Sequence, residues 1–540
     1  MVTIKQETKE RIDLFMAHFL SRLNLVFYFT YIDKKFGMKK WKSLLTLVLI
    51  LSIISVEAQK KTKAIDSLVI FDSYVQQAVK DWEAPGLGIV VVKDNQVIFK
   101  KGYGVTTLGT DHPVNSQTLF NCASTTKAMT ATCMGILVDQ GKVKWDDPVI
   151  KYLPEFQLYD PWVTRELRVR DLFLHNSGVG NADFLWGDNH LTADEILEKM
   201  RLVKPSYSMR SSFIYQNIFY LAAGKVIEKV SGIPWADFIR QQVFQQLGMT
   251  NTFSQISQVT SNNIATPHFR IDKQIQVISR DIADVVGPAG SVLSCIDDMG
   301  IWIKTMMDSS KYAGGRLLKP ETWKEMFRPQ TLVTPEQFYP TKELTKPNFM
   351  TYALGWFQQD YRGKKLNFHT GSLAGAVAIN AQMPEENIAV YIFGNLDHVE
   401  VRHALMFKTI DYFALGGNRD WSKDLLKLYG DIHSAGEKAE TDTDKKRVLN
   451  THPSLSLNEY AGVYEDPLYG KVVISFENNE LSFLINNDSN AGKLTHWNYD
   501  SFKAEFTKKW YGKSDLQFQL NTEGKVEGIN LDGFQYKKSK

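Results

Sequence analysis

Residues 121–130 read N-C-A-S-T-T-K-A-M-T, and the serine and lysine inside this stretch, Ser124 and Lys127, stand three positions apart. Side chains three apart lie on the same face of a helix, so the lysine amine can reach the serine oxygen. A serine hydroxyl is a weak nucleophile at neutral pH until a neighbouring base takes its proton. The stretch therefore predicts a nucleophile with its base. Alone the pattern is weak, because a chain of 540 residues contains several chance matches.

The sequence on both sides of this stretch changes from strand to helix patterns and back. Residues 86–92 read as a buried strand, and a turn at 94–95 leads into a return strand. Helical spacing dominates the middle, including 126–140 and 218–230, and period two returns in a hairpin over 376–393. Strands at both ends with helices between them predict an α+β fold. We expect one antiparallel sheet whose edge strands come from the beginning and the end of the domain. Helices would flank this sheet.

The C-terminal part has a different composition. Residues 434–447 are polar throughout and read as a linker or a solvated helix, and we place the linker between the two domains at 421–454. From 455 to 540 short strand patterns alternate with turn signals, which predicts a separate all-β domain, a barrel or a sandwich. The main domain is then expected over 62–420.

The N-terminal part resembles a targeting segment. Basic residues at 38–42 precede an apolar run at 44–54 and the small residue Ala58. This order predicts a signal peptide over 38–58, too short to span a membrane, and therefore export to the periplasm or the medium. A retained signal anchor is the alternative. Residues 1–37 would be an upstream extension, with translation expected to begin at Met38; an amphipathic membrane-surface segment over 14–32 is the other interpretation.

Composition excludes several classes of partner. With 44% hydrophobic and 23% charged residues the chain is an ordinary globular protein. The net charge of +3 comes from the leader, so no basic surface for nucleic acid is expected. Three cysteines, Cys122, Cys133 and Cys295, are too few for a disulfide framework and are expected to be buried. The absence of paired Cys and His clusters argues against a metal site.

Two later motifs extend the first one. Y-Q-N stands at 215–217 and H-T-G-S at 369–372. The order S-x-x-K, Y-x-N, [K/H]-T-G resembles the serine β-lactamase and penicillin-binding-protein superfamily, most closely its class C β-lactamase-like branch. The stretches D-L-F-L-H-N-S-G at 171–178 and P-A-G-S at 288–291 also look like that branch. The resemblance covers about residues 65–415.

The resemblance implies a fold and a set of site residues. It adds an all-helical subregion beside the sheet, and it implies an acyl-enzyme on Ser124 with no cofactor and no metal. Lys127 and Tyr215 would share the role of base, and the N–H groups of Ser124 and Ser372 would form an oxyanion hole. The implied catalytic residues are Ser124, Lys127 and Tyr215, and the implied substrate-binding residues are Asn217, His369, Thr370, Gly371 and Ser372. His175, in the loop at 171–178, is expected to be structural.

His369 departs from the pattern of the family's β-lactamases. Most of them carry lysine at this position, a fixed cation for the substrate carboxylate, whereas histidine is mostly neutral near pH 7.5. Members with histidine there are more often peptidases, esterases or uncharacterised hydrolases. The histidine at position 369 therefore argues against efficient hydrolysis of β-lactams.

Two functions follow as hypotheses. The favoured one is an exported serine hydrolase that cleaves an amide or ester, with a cell-wall D-amino-acid peptide, a small ester or a β-lactam as substrate. Such an enzyme would be of the β-lactamase, D-Ala-D-Ala carboxypeptidase or esterase type. It would contact a membrane only through an uncleaved signal segment. The alternative is a non-hydrolytic sensor of β-lactams or muropeptides. The C-terminal domain resembles a β-domain of unknown function and is expected to shape substrate access or contact the wall.

Overall fold

The computed structural model describes residues 66–187, 191–486 and 490–539. The expected extension at 1–37 and the signal peptide at 38–58 lie outside these residues and stay predictions. Residues 66–74 are helical, and the elements below belong to the compact unit Val75–Lys540. In the described part of the chain, no helix has the length and apolar character needed to cross a membrane.

The longer strands of the main domain occur near both ends of that domain, and short two- to four-residue strands are interspersed among the helices between them. In chain order they are β1 (Gly86–Lys93), β2 (Gln96–Gly104), β3 (Phe120–Asn121), β4 (His268–Ile271), β5 (Gln274–Val277), β6 (Leu293–Ser294), β7 (Lys311–Tyr312), β8 (Gly315–Arg316), β9 (Thr331–Leu332), β10 (Met350–Ala353), β11 (Trp356–Tyr361), β12 (Lys364–Leu373), β13 (Ala376–Met383) and β14 (Ile388–Gly394).

One antiparallel sheet joins the beginning of the domain to its end. Its order is β2-β1-β14-β13-β12-β11-β10-β9, with Ile89 of β1 opposite Ile392 of β14. The expected antiparallel sheet is confirmed. Its edges are β2 and the short β9, whereas the late strands β13 and β14, expected at an edge, lie inside the sheet. An inner position agrees with their sequence, since every residue of β13 and β14 is buried.

The helices form a second layer that holds the nucleophile. They are α1 (Thr126–Asp139), α2 (Pro161–Glu166), α3 (Ala193–Lys199), α4 (Ile218–Ser231), α5 (Trp235–Ile239), α6 (Gln245–Leu247), α7 (Gly287–Gly290), α8 (Ile296–Met307), α9 (Pro320–Met326), α10 (Lys342–Thr345), α11 (Val401–Ile410) and α12 (Trp421–Asp444). Helix α1 is buried on all sides from Thr126 to Leu137, and it packs against α4, α7 and α9. These helices are the predicted helical subregion, whereas α8 and α11 pack on the sheet.

The three cysteines lie in the core of the main domain. Cys122, Cys133 and Cys295 are all buried and none is in a disulfide. Burial raises the pKa of the Cys122 thiol to about 12, so it stays protonated. The prediction that they act as small buried hydrophobic residues is confirmed.

The C-terminal domain is a closed antiparallel barrel. Its strands are β15 (Gly462–Asp466), β16 (Gly470–Glu477), β17 (Glu480–Ile485), β18 (Ala491–Asn498), β19 (Ser501–Phe506), β20 (Lys513–Leu520), β21 (Val526–Leu531) and β22 (Phe534–Lys538). Strand β15 pairs with β22 and closes the barrel. Alternate side chains such as Ile474, Phe483 and Phe518 fill its interior. Of the two architectures expected for this domain, the structure has the barrel.

Much of the predicted linker is one long helix. In α12, Trp421 and Leu425 are buried in the first two turns, and the Trp421 indole N–H donates to Asp411 at 2.7 Å. The rest of α12 is mostly exposed. The helix thus begins as part of the main domain and ends as a solvated connection to the barrel.

Candidate active site

Ser124 occupies a tight turn at the start of α1. Residues Ala123–Thr125 form one turn of 3₁₀ helix directly before Thr126. Ala123 has φ +45°, a left-handed conformation that side chains disfavour, and the Thr125 hydroxyl fixes the turn by donating to the Cys122 carbonyl at 2.7 Å. Ser124 remains partly exposed between buried neighbours. The turn therefore presents the Ser124 hydroxyl at a helix N-terminus.

Lys127 lies beneath Ser124 and is completely buried. Its Nζ donates to three acceptors: Ser124 Oγ at 3.0 Å, Asn217 Oδ1 at 2.6 Å and the Ala289 carbonyl at 3.0 Å. Burial lowers the pKa of this amine to about 7, against a smaller raising effect of Asp183. Lys127 can therefore exist as a neutral amine at neutral pH, in direct contact with the serine oxygen.

Tyr215 contacts both Ser124 and Lys127. Its hydroxyl is hydrogen-bonded to Ser124, and its ring is 4.9 Å from Lys127 Nζ. Burial raises the phenol pKa well above its usual value, so at neutral pH the oxygen carries its proton. The structure thus brings together the three predicted catalytic residues. It gives Tyr215 the form of a proton donor rather than of a phenolate base.

His175 holds the segment that carries Tyr215. Its Nδ1 accepts the Gln216 backbone N–H at 3.0 Å, its carbonyl accepts the Ile214 N–H at 2.8 Å, and its ring lies 4.3 Å from the Tyr215 ring. Burial lowers its pKa well below the usual value, so the imidazole is neutral. These contacts agree with the expected structural role.

Asn217 connects the lysine to a carboxylate that the sequence analysis missed. While Oδ1 accepts from Lys127, Nδ2 donates to Asp183 Oδ2 at 2.8 Å. Asp183 also accepts from Trp186 Nε1 at 3.0 Å and from Asn181 Nδ2 at 3.1 Å. The amide Nδ2 carries a second hydrogen, and the assignment of Asn217 to substrate binding stays a prediction. Asp183 belongs to none of the recognised motifs, so no pattern in the sequence pointed to it.

The opposite wall of the site is strand β12, which approaches the nucleophile at Gly371. A Cβ on Gly371 would lie 2.3 Å from the Cys122 carbonyl oxygen and 3.0 Å from Ser124 N. The family resemblance implied that Gly371 binds substrate, which a glycine can do by leaving room beside the strand. In the structure the room is taken by the backbone of the nucleophile's own turn. The H-T-G-S motif lies toward the end of β12, five residues after the strand begins.

The two residues that flank Gly371 have buried supports. Thr370 Oγ1 lies 2.6 Å from the hydroxyl of Tyr339. Ser372 is exposed, and its Oγ accepts from Arg402 Nη1 at 3.0 Å. Arg402 is paired with Glu400 through two contacts of 3.0 Å. Tyr339 and Arg402 were not predicted, because neither lies in a motif.

His369 is part of this wall but is turned away from solvent. The side chain is 1% exposed. Nδ1 lies 2.6 Å from the Thr370 carbonyl, to which it must donate, and Nε2 accepts from the Tyr352 hydroxyl at 2.8 Å. Burial, with the nearby Lys127 charge, lowers its pKa to about 3. His369 is therefore a neutral residue whose ring nitrogens are both paired, and its assignment to substrate binding stays a prediction.

The arrangement can carry out acyl transfer. It contains a nucleophile, a lysine of lowered pKa and a protonated phenol, with an amide and a glycine-lined strand beside them. Among the described residues, no group of three or more His, Cys, Asp or Glu side chains is arranged to hold a metal ion. This fold and this set of side chains define the β-lactamase and penicillin-binding-protein superfamily.

The chain belongs to the beta-lactamase family, which matches residues 71–413. This is a family of hydrolases. Residues 446–540 match a domain of unknown function, DUF3471. The domain boundaries expected from the sequence, 62–420 for the main domain and 455–540 for the C-terminal domain, stay predictions.

Named relatives and solved structures resemble most of the chain. Unguisins hydrolase ungD of Aspergillus violaceofuscus is 26% identical over 74% of this chain and 75% of its own length. Protein flp of Staphylococcus aureus is 23% identical over 62% of this chain and 64% of its own length. The structure of the octameric penicillin-binding protein homologue from Pyrococcus abyssi has a TM-score of 0.57 at 20% identity. The match covers 86% of this chain and 98% of the homologue. A D-amino acid amidase from Ochrobactrum anthropi SV3, complexed with D-phenylalanine, has a TM-score of 0.53 at 20% identity. The match covers 63% of this chain and 99% of the amidase.

Proposed function

We propose that this protein is an exported serine hydrolase that cleaves an amide or ester through an acyl-enzyme on Ser124. One observation carries the proposal: Lys127 Nζ lies 3.0 Å from Ser124 Oγ, and burial lowers the pKa of that amine to about 7. A lysine of ordinary pKa would hold its proton and could not serve as a base.

The reaction follows from the contacts of these groups. Neutral Lys127 accepts the Ser124 proton while Oγ attacks the substrate carbonyl, and the N–H groups of Ser124 and Ser372 receive the developing oxyanion. The Tyr215 hydroxyl, already hydrogen-bonded to Ser124, donates its proton to the leaving group and recovers one from Lys127. Water then attacks the acyl-enzyme with the same groups in reverse order.

The charges in the site favour an amide without a free carboxylate beside the cleaved bond over a β-lactam or a C-terminal dipeptide. Position 369 offers no cation, because His369 is neutral and both of its ring nitrogens are paired. The guanidinium of Arg402 is already paired with Glu400. One relative is named a hydrolase of unguisins, and one similar structure is a D-amino acid amidase, which supports an amide substrate. The proposed substrate is a D-amino-acid amide or peptide whose cleaved bond has no free carboxylate beside it. A carboxypeptidase substrate such as D-Ala-D-Ala carries the same carboxylate as a β-lactam and is therefore less favoured.

Export rests on the predicted signal peptide at 38–58. The proposal places the mature protein in the periplasm or outside the cell. Expression of the full chain in a Gram-negative host, cell fractionation and N-terminal sequencing test it. We expect a mature N-terminus near residue 59, and a protein that stays uncleaved in the cytoplasm would contradict the proposal.

Labelling and turnover test the chemistry. We expect a fluorophosphonate to label the wild type and a Ser434→Ala control, whose exposed serine lies on α12, but not Ser124→Ala. Turnover of an uncharged D-amino-acid amide, a D-Ala-D-Ala peptide, a p-nitrophenyl ester and nitrocefin then ranks the substrates, with the uncharged amide expected to exceed both the D-Ala-D-Ala peptide and nitrocefin. A lasting penicillin adduct with no turnover of any substrate would instead support the sensor function. No adduct at all would reject both.

A further inference from the structure

A cavity of about 470 Å³ lies at one end of the C-terminal barrel. Its lining includes Ile485 at the end of β17, Phe506 at the end of β19, Leu531 at the end of β21 and Phe534 at the start of β22. Since the strands are antiparallel, these positions share one end of the barrel. The cavity is therefore the mouth of the barrel, a usual place for ligands of small barrels.

Two segments of the main domain cover this mouth. Each of them is connected to the active site by the chain or by a hydrogen bond. The first segment, 184–187, begins next to Asp183, which accepts from Asn217 at 2.8 Å. The second segment contains Asp281, whose carboxylate is hydrogen-bonded to the backbone of Ala374, two residues beyond Ser372. Each covering segment is thus connected to one wall of the catalytic site, the first through Asp183 and Asn217 and the second through the Asp281–Ala374 hydrogen bond.

Direct contacts hold the barrel in this position. The ring of Phe184 lies 5.0 Å from that of Tyr469 and 5.5 Å from that of Phe534. At the periphery, Lys509 of the barrel pairs with Asp272 at 3.2 Å. Leu468, just before β16, also packs against the main core.

The lining is suited to a large apolar group. Aromatic rings from both domains face the cavity, among them Trp186, Tyr511 and Phe534, and Ile282 is 49% exposed beside them. Exposed apolar surface of this kind gains free energy when an apolar side chain covers it. The volume accommodates one aromatic side chain with part of its backbone.

We propose that the mouth of the barrel is a specificity subsite that takes a large apolar side chain, above all an aromatic one, of a peptide held at Ser124. The inference rests on the proposed amide hydrolysis. It adds that the C-terminal domain chooses among peptides by a residue near the cleaved bond.

A peptide series tests the subsite. Peptide p-nitroanilides are compared in which one alanine is replaced by phenylalanine at each position within three residues of the cleaved bond. We expect one position at which phenylalanine raises kcat/KM about tenfold or more over alanine. Equal values for phenylalanine and alanine at every position would overturn the inference.

Two variants from opposite sides of the cavity locate the preference. Ser514→Trp fills the mouth from β20, and Ile282→Asp places a charge in it from the main domain. Both should lower the phenylalanine-to-alanine ratio toward one. The matched control Tyr499→Ala, an exposed residue between β18 and β19 at the opposite end of the same barrel, should keep it. An unchanged ratio in both cavity variants would contradict the subsite.

A binding measurement separates this inference from the proposed chemistry. Calorimetric titration of the preferred phenylalanine peptide into Ser124→Ala protein needs no turnover, and adding Ser514→Trp should weaken that binding about tenfold. Equal affinity with and without Ser514→Trp would overturn the subsite even if hydrolysis is found. Failure of fluorophosphonate to label Ser124 in the wild type would overturn the proposed function, whatever the titration shows.

Discussion

Lys127 depends on two opposing electrostatic effects. Complete burial removes water from the ammonium and lowers its pKa, while the carboxylate of Asp183 partly restores it. The three acceptors around Nζ would hold an ammonium firmly, so the unprotonated amine needed for catalysis exists only because burial outweighs them. The residue is therefore set near the midpoint of its titration at neutral pH.

The pH dependence of hydrolysis should report this titration. Because the neutral amine is the base, kcat/KM should fall about tenfold per pH unit below the Lys127 pKa of about 7 and level off above it. The measurement is kcat/KM for an uncharged ester between pH 5.5 and 9. Lys127→Met should lower activity by about 10²–10⁴-fold and remove this limb. A flat profile in the wild type across the range would show that another group is the base.

Asp183 should shift that profile without taking part in the reaction. In Asp183→Asn the charge that raises the Lys127 pKa is lost, so the acid limb should move to lower pH. The matched control is Asp194→Asn, the same change at a carboxylate that is 82% exposed and paired with Lys225. The control should keep the wild-type midpoint. A midpoint that stays in place in Asp183→Asn would mean that Asp183 only anchors Asn217.

At the scale of elements, the decisive contact is that between β12 and the nucleophile's turn. Gly371→Ala would place a Cβ 2.3 Å from the Cys122 carbonyl oxygen, so β12 or the turn has to move. A displacement of about 1 Å at reacting groups costs on the order of 10²-fold in rate. We expect such a loss in kcat/KM, with folding preserved in circular dichroism.

Gly430→Ala is the control for that substitution. Gly430 lies in α12 with open space around it and no left-handed backbone, so alanine should leave the kinetics unchanged. It should raise the free energy of unfolding by about 0.5–1 kcal/mol, because glycine weakens a helix interior. Equal activity of Gly371→Ala and Gly430→Ala would show that the close approach of β12 is not needed.

The elements with clear periodicity were the predictable ones. The hairpin of β13 and β14 and helix α4 were expected nearly to their observed bounds, because buried runs between turn residues leave few alternatives. Several individual strands of the barrel were not predicted. Strand β18, for example, ends in polar and aromatic residues at 496–498 that show no clear alternation. The order of strands in the sheet was also missed, because it depends on pairing across hundreds of residues.

The site was predictable only where a motif marks it. Ser124, Lys127 and Tyr215 were predicted and do converge, because local spacing and order identify them. Asp183 could not be found, since its role arises from a loop folded against α4. The burial of His369 was equally invisible, because it depends on Tyr352 and on the neighbouring strand.

At the scale of the molecule, the barrel is coupled to the catalytic residues through one loop. Phe184 packs on two aromatic residues of the barrel, while its neighbour Asp183 anchors Asn217. Loss of the barrel would leave the Phe184 ring without these partners and free the loop to move. The barrel should therefore support the geometry of the site as well as border it.

A chain that ends at Asn450 tests this coupling. The main domain keeps its own large core, so we expect it to fold, as followed by circular dichroism. Fluorophosphonate should still label Ser124 but more slowly, because the Asp183–Asn217–Lys127 chain loses its support from Phe184. Phe184→Ala in the full chain should change the labelling rate in the same direction by less. Ile432→Ala, at a half-exposed residue of α12, is a control that should leave that rate unchanged. Wild-type labelling and peptide turnover in the shortened chain would show that the two domains act independently.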